Sequence, residues 1–247
     1  MHLRFLVCEP YRLVYRPLPK CASTTLFNLF ADLGDSRRGA GPRDNIPFVT
    51  GVPPTDMGGS YVVACPVAAL GDLSRRFAGH VWFSVVRDPY DRVVSNYLNK
   101  LNRYARRFAS RTYAWGYLAP LVHGRLAWPD QRERARWLRR LISFDEFVEG
   151  LARHGTGWDS HVQSQTSLLH SELVGYHRLI KMERLGEGLG DLLADVAGPV
   201  RARAAIERLG CHNRADRAEA ADPWTPASRA IAAAAYRGDF EPLGYAA

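Results

Sequence analysis

VYRPLPKCASTTLFNLF, Val14 to Phe30, runs from an apolar segment through a two-proline turn to a lysine, then through small and hydroxyl-bearing residues into a second apolar segment. Val14 to Pro17 reads as a short strand, bounded by Pro17 and Pro19. Ser23 to Leu33 reads as a helix, because Leu26, Leu29, Phe30 and Leu33 recur on one face. A strand, a tight turn and a helix start make an anion site. The first-turn amides have no intrahelical acceptor, and the helix dipole favours negative charge there. Lys20 adds a mobile point charge suited to a phosphate or sulfate oxygen. Ser23, Thr24 and Thr25 add hydroxyl donors at the same place. The phosphate loop GxxxxGK[ST] is absent: its lysine follows the loop glycines, whereas here the lysine comes first and the glycines are missing. An ordinary capped helix with a surface lysine would account for the stretch equally well.

HVWFSVV, residues 80–86, is a continuous run rich in valine and aromatics. It fits a strand buried on both faces, as in a parallel sheet, with His80 as a structural residue at its start. RDPYDRVVSNY follows at once. The strand delivers Arg87 to the carboxyl edge of the sheet, where ligands bind in open α/β folds. Asp88 suits a helix N-cap and Pro89 the first helical position. Val93, Val94, Tyr97, Leu98 and Leu101 continue the helix, and Ser95 falls about two turns into it. A guanidinium and a hydroxyl can converge on one phosphate. In the plainer reading Arg87 pairs with Asp88 or Asp91 and Ser95 packs the helix.

YVVAC at 61–65 and YHRLIKM near 176–182 read as further strands. SFDEFVEGLAR opens with the capping-box pattern at Ser143 and Glu146, and the last third is alanine-rich helix ending at YRGDFEPLGY. Residues 34–60, rich in Gly, Pro, Asp and Arg, read as a long loop. Strands alternating with helices predict an α/β fold with a parallel sheet. No repeat, low-complexity tract or linker interrupts the 247 residues, so 1–247 reads as one domain. The net charge of +8 favours anionic partners but says nothing of fold. Cys8, Cys21, Cys65 and Cys211 are scattered, with no CxxC pair or zinc spacing, so reduced thiols and no metal are expected. No apolar run is long enough to span a bilayer, and the first residues are too polar for a secretory signal. The expected compartment is the cytoplasm.

PKCASTTL followed by RDPYDRVVSNY resembles the paired loops of sulfotransferases that use 3′-phosphoadenosine-5′-phosphosulfate (PAPS). The match is closer to the carbohydrate (family 2-type) branch and its bacterial relatives, with the pattern PKxA[SGC][ST] and then RDPxxRxxSxY. DSHVQSQTSLL at 159–169 looks like that branch's DxHWxPQ segment, with His161 and Gln165 in matching places; Val162 stands for Trp and Ser164 for Pro. LIKMERL, HNRAD and YRGDFEPLGY look like its later segments. The resemblance implies a P-loop-kinase-like α/β/α three-layer fold around a central parallel sheet. It implies that Lys20, Cys21, Ala22, Ser23, Thr24 and Thr25 hold the 5′-phosphosulfate and that Arg87 and Ser95 hold the 3′-phosphate. Transfer would go to a hydroxyl or amine of a carbohydrate or small metabolite, with Lys20 stabilising charge and no metal required.

The acceptor needs a base near operating pH, a task that suits histidine. His161 is the candidate, with Asp56 and Asp159 as rivals; its plainer role is to organise the acceptor loop. Residues 103–140 are arginine-rich, with Tyr104, Tyr113, Trp115, Tyr117 and Trp128 interleaved. They read as a helical insertion lining an acceptor groove, or as a solvated helical face. A kinase-like phosphotransferase is disfavoured by the missing loop glycines and by the lack of a metal-binding aspartate at a strand end. A nucleic-acid-binding protein is disfavoured because no binding motif is visible. Oligomeric state leaves no sequence signature.

Overall fold

His2–Cys8 forms strand β1 and Leu13–Arg16 forms β2, joined by a tight turn in which Arg12 takes a left-handed conformation (φ 48°). This is a computed structural model, and it describes residues 2–34, 48–51, 59–106, 143–157, 160–209 and 222–247. The chain divides into two compact units, Met1–Asp88 with Gln165–Asn213, and Pro89–Ser164 with Arg214–Ala247.

The first unit holds a six-stranded sheet. Its further strands are β3 (Phe48–Thr50), β4 (Ser60–Pro66), β5 (Val81–Val86) and β6 (Arg178–Lys181), in the order β3-β4-β1-β2-β5-β6. The pairs β2–β5, β5–β6 and β3–β4 are parallel, but β1 is antiparallel to both β2 and β4. The expected all-parallel sheet is therefore corrected to a mixed one. The reason is chain length: only Glu9–Arg12 separates β1 from β2, and a parallel connection needs a dozen or more residues. The long loop expected at 34–60 is corrected as well, because Phe48–Thr50 adds to the sheet beside β4. Most of the remaining loop lies outside the described residues. So do 107–140 of the arginine-rich stretch, Asp56, Asp159 and Cys211.

Both faces of the sheet are covered. Phe5, Val7, Val14, Val63 and Trp82 pack with Leu70, Leu73 and Phe77 of helix α2 (Leu70–Arg76) and its C-cap. On the other face Tyr15 and Phe83 stack, and Phe30 of helix α1 (Ser23–Leu33) lies against both. Trp82 and Phe83 are neighbours in sequence and point to opposite faces, as the pleat requires. The strand ends of β2, β5 and β6 lie at one edge, and their following loops carry Lys20, Arg87 and Glu183. The first unit also contains α5 (Gln165–Leu169), α6 (Leu185–Ala197) and α7 (Pro199–Glu207).

The second unit is helical in its described part: α3 (Pro89–Arg106), α4 (Phe144–His154), α8 (Pro226–Ala235) and α9 (Arg237–Phe240). Tyr90, Val94, Tyr97, Phe144, Val148 and Phe240 form its core. Helix α4 begins with the expected capping box at Ser143 and Glu146. Among the described residues no helix is long and apolar enough to cross a membrane.

Candidate anion site and the loop of His161

Lys20 and Ala22 both adopt left-handed backbone conformations, with φ of 68° and 54°. Each costs a non-glycine residue on the order of 1–2 kcal/mol. Left-handed residues alternating along a turn make successive amides converge into an anion-binding concavity. Here both left-handed positions are taken by residues other than glycine. The turn is held from inside: Cys21 N donates to Leu18 O at 3.3 Å, and the Tyr15 hydroxyl donates to Cys21 O at 3.3 Å. Ser23 Oγ donates to Leu18 O at 2.7 Å, so this hydroxyl closes the loop.

Helix α1 has no side-chain N-cap and no acidic residue in its first turn, unlike α4. Its first intrahelical bond runs from Leu26 N to Ala22 O. A helix end without a carboxylate or hydroxyl cap suits an external anion. The plainer expectation of an ordinary capped helix is not met. Ala22→Gly removes the left-handed penalty and is expected to raise the unfolding free energy by about 1 kcal/mol. Denaturant unfolding measures this, and a decrease would show that Ala22 carries no such strain.

Arg87 follows the last residue of β5 and lies two residues before the proline that opens α3. Side chains bond the backbone at this junction. Gln165 Oε1 accepts from Arg87 N at 2.9 Å, and Gln165 Nε2 donates to Arg87 O at 2.7 Å. Glu183 Oε1 accepts from Asp88 N at 2.9 Å. The Arg87 guanidinium reaches the first loop, donating from Nη1 to Lys20 O at 3.3 Å. Cys21, buried and with a free thiol, donates from Sγ to Gln165 Oε1 at 3.4 Å. Within the first unit the structure thus brings together Lys20, Cys21, Ala22, Ser23, Thr24, Thr25 and Arg87.

Beneath this assembly Arg16 is buried, with its Nε and Nη2 on Leu168 O at 3.2 and 3.1 Å and its Nη1 on Arg4 O at 3.0 Å. Its guanidinium also lies over the Phe5 ring, 5.4 Å from the centroid, and burial lowers its pKa. The sequence reading gave Arg16 and Glu183 no part, and it noted Gln165 only as a pattern match. Apart from the Cys21 thiol on Gln165, the partners named above are backbone groups, which leave no pattern of paired side chains to find.

Ser95 and His161 belong to the second unit. Ser95 is half-buried on α3. His161 lies in a turn whose four successive carbonyls all accept side-chain hydrogen bonds. Arg92 donates to Ser160 O at 3.4 Å and to Gln163 O at 2.8 Å, Asn96 donates to His161 O, and the Tyr236 hydroxyl donates to Val162 O at 2.7 Å. Burial pushes the Tyr236 hydroxyl up, so it stays protonated and able to donate. Val162, in the place where the resembling branch carries Trp, is buried in the unit's core. The turn that presents His161 is fixed from behind.

A left-handed loop and an uncapped helix start follow a central strand, with Arg87 docked on the loop, an arrangement suited to an anion. The chain belongs to the sulfotransferase family, whose sequence model matches residues 3–246. It is accordingly a transferase of sulfuryl groups, working between a donor and an acceptor. No curated protein and no solved structure matches it. Among the described residues no cluster of His, Cys, Asp and Glu could hold a metal ion.

Proposed function

We propose that the chain transfers a sulfuryl group from PAPS to a hydroxyl or amine of a carbohydrate or small metabolite. The observation that carries this reading is the bond from Arg87 Nη1 to Lys20 O, which joins two basic motifs 67 positions apart on one loop. The donor fits the residues present: a concave backbone, an uncapped helix start, an ammonium and a guanidinium suit a nucleotide with two anionic ends. PAPS supplies the sulfuryl group and a phosphosulfate leaving group. Lys20, with the amides of residues 21–25, holds the 5′ end and neutralises charge that grows on the leaving oxygens. Arg87 holds the 3′-phosphate. His161 takes the acceptor proton, its backbone fixed by the bonds to the 160–163 carbonyls. The setting we propose is the cytoplasm of a bacterium.

Calorimetry with 3′-phosphoadenosine-5′-phosphate tests this reading. The expected result is tight binding without magnesium and much weaker binding of 5′-AMP and ATP. Equal affinities, or a strict need for magnesium, would overturn it in favour of a kinase-like phosphotransferase.

A further inference from the structure

We propose that Gln165 is a positioning residue for the nucleotide: its side-chain amide sets the Arg87 peptide and the Cys21 thiol together, and so keeps the second basic motif on the first loop. The inference rests on reading that loop as the site of a 3′,5′-bisphosphorylated nucleotide.

Gln165 is fully buried. Its oxygen accepts from both Arg87 N (2.9 Å) and Cys21 Sγ (3.4 Å), and its nitrogen donates to Arg87 O (2.7 Å). A neutral group with an acceptor and a donor side by side matches one residue's N–H and C=O at once. This matters because Arg87 sits between a strand that has ended and a helix that has not begun. Without the amide, the Arg87 N–H and C=O lose these two hydrogen bonds. The backbone could then swing about the junction, carrying the guanidinium off Lys20 O. Holding it in the bound orientation lowers the ordering cost of capturing an anion.

The support is itself anchored. Gln165 opens the short helix α5, and the far end of that helix is tied down by Arg16 on Leu168 O and by the Tyr176 hydroxyl on Leu169 O at 2.7 Å. The thiol bond adds the third side. Gln165, Arg87 and the Lys20–Cys21 step close a ring in which each basic motif is fixed relative to the other.

Gln165→Glu and Gln165→Leu, each compared with the unaltered chain, test the proposal through affinity for 3′-phosphoadenosine-5′-phosphate from pH 5.5 to 8. A carboxylate offers only acceptors and turns a lone pair toward Arg87 O. A protonated carboxyl restores one donor beside one acceptor. Gln165→Glu is expected to bind about tenfold more weakly than the unaltered chain at pH 8 and to approach it as the pH falls. Gln165→Leu is expected to be weak at every pH. An affinity ratio for Gln165→Glu that does not change with pH, or unaltered binding by folded Gln165→Leu, overturns the proposal. If the unaltered chain fails to bind the nucleotide, the nucleotide reading falls, and hydrogen exchange at the Arg87 amide decides the clamp alone. Slow exchange that becomes fast in Gln165→Leu, with the melting temperature held, supports it; equal rates overturn it.

Discussion

Lys20→Ala is expected to lower the rate of sulfuryl transfer by about 10²–10³-fold, the usual consequence of removing one preorganised charge from a transition state. The position allows a clean test. The Lys20 backbone gives the fold the left-handed turn and the carbonyl that accepts from Arg87 Nη1. Alanine keeps both, so the loop and the Arg87 contact persist while the ammonium is lost. The effect therefore falls on kcat as well as on nucleotide affinity, since the same ammonium holds the 5′ end, and the melting temperature stays put. Lys20→Arg is expected to rescue poorly, because a planar fork does not replace a compact charge on a flexible stem. Turnover with labelled PAPS reads the result, and an undiminished rate in the alanine variant would remove Lys20 from the chemistry.

Arg92→Met carries the largest expected cost in stability. The Arg92 side chain is 2% exposed and donates to both Ser160 O and Gln163 O. Methionine keeps the apolar stem and much of the volume, so the change isolates the polar loss. Two carbonyls are left without these donors, each worth roughly 1–3 kcal/mol when buried. Together these give a destabilisation of about 3–5 kcal/mol, a large share of what holds a domain folded. Arg92→Lys recovers part of it, since an ammonium lacks the planar fork that reaches two acceptors. Denaturant unfolding measures the difference, and an unmoved midpoint would mean that the 160–163 turn is held by something other than Arg92.

Much of this architecture was legible in the residues. Helix α1 begins and ends where its leucine spacing places it, and the Ser143 capping box forms as its residue types require. The mixed sheet was missed at β1, although Leu3, Phe5 and Val7 alternate with His2 and Arg4 in the two-residue period of a strand. Strand β3 was hidden by its surroundings: three residues inside a Gly- and Pro-rich segment make a strand only because β4 offers an edge. The left-handed turns at Lys20 and Ala22 could not be read, since neither residue type signals that conformation. Arg16, Arg92 and Gln165 look like surface residues in the sequence. What buries them is a set of carbonyls and amides up to 152 positions away, and such partners have no residue identity to recognise.

Arg16 has a consequence for the order in which the protein is made. During synthesis, residues through β5 emerge well before Leu168, whose carbonyl receives two of the guanidinium's hydrogen bonds. Until it arrives, Arg16 has Arg4 O and the Phe5 ring but lacks the two bonds to Leu168 O, so taking its charge out of water costs more. The edge of β5 likewise has no strand beside it until β6 is made. A ribosome stalled before residue 165 thus holds a sheet whose basic end is unfinished and whose edge is free to pair with a neighbouring chain.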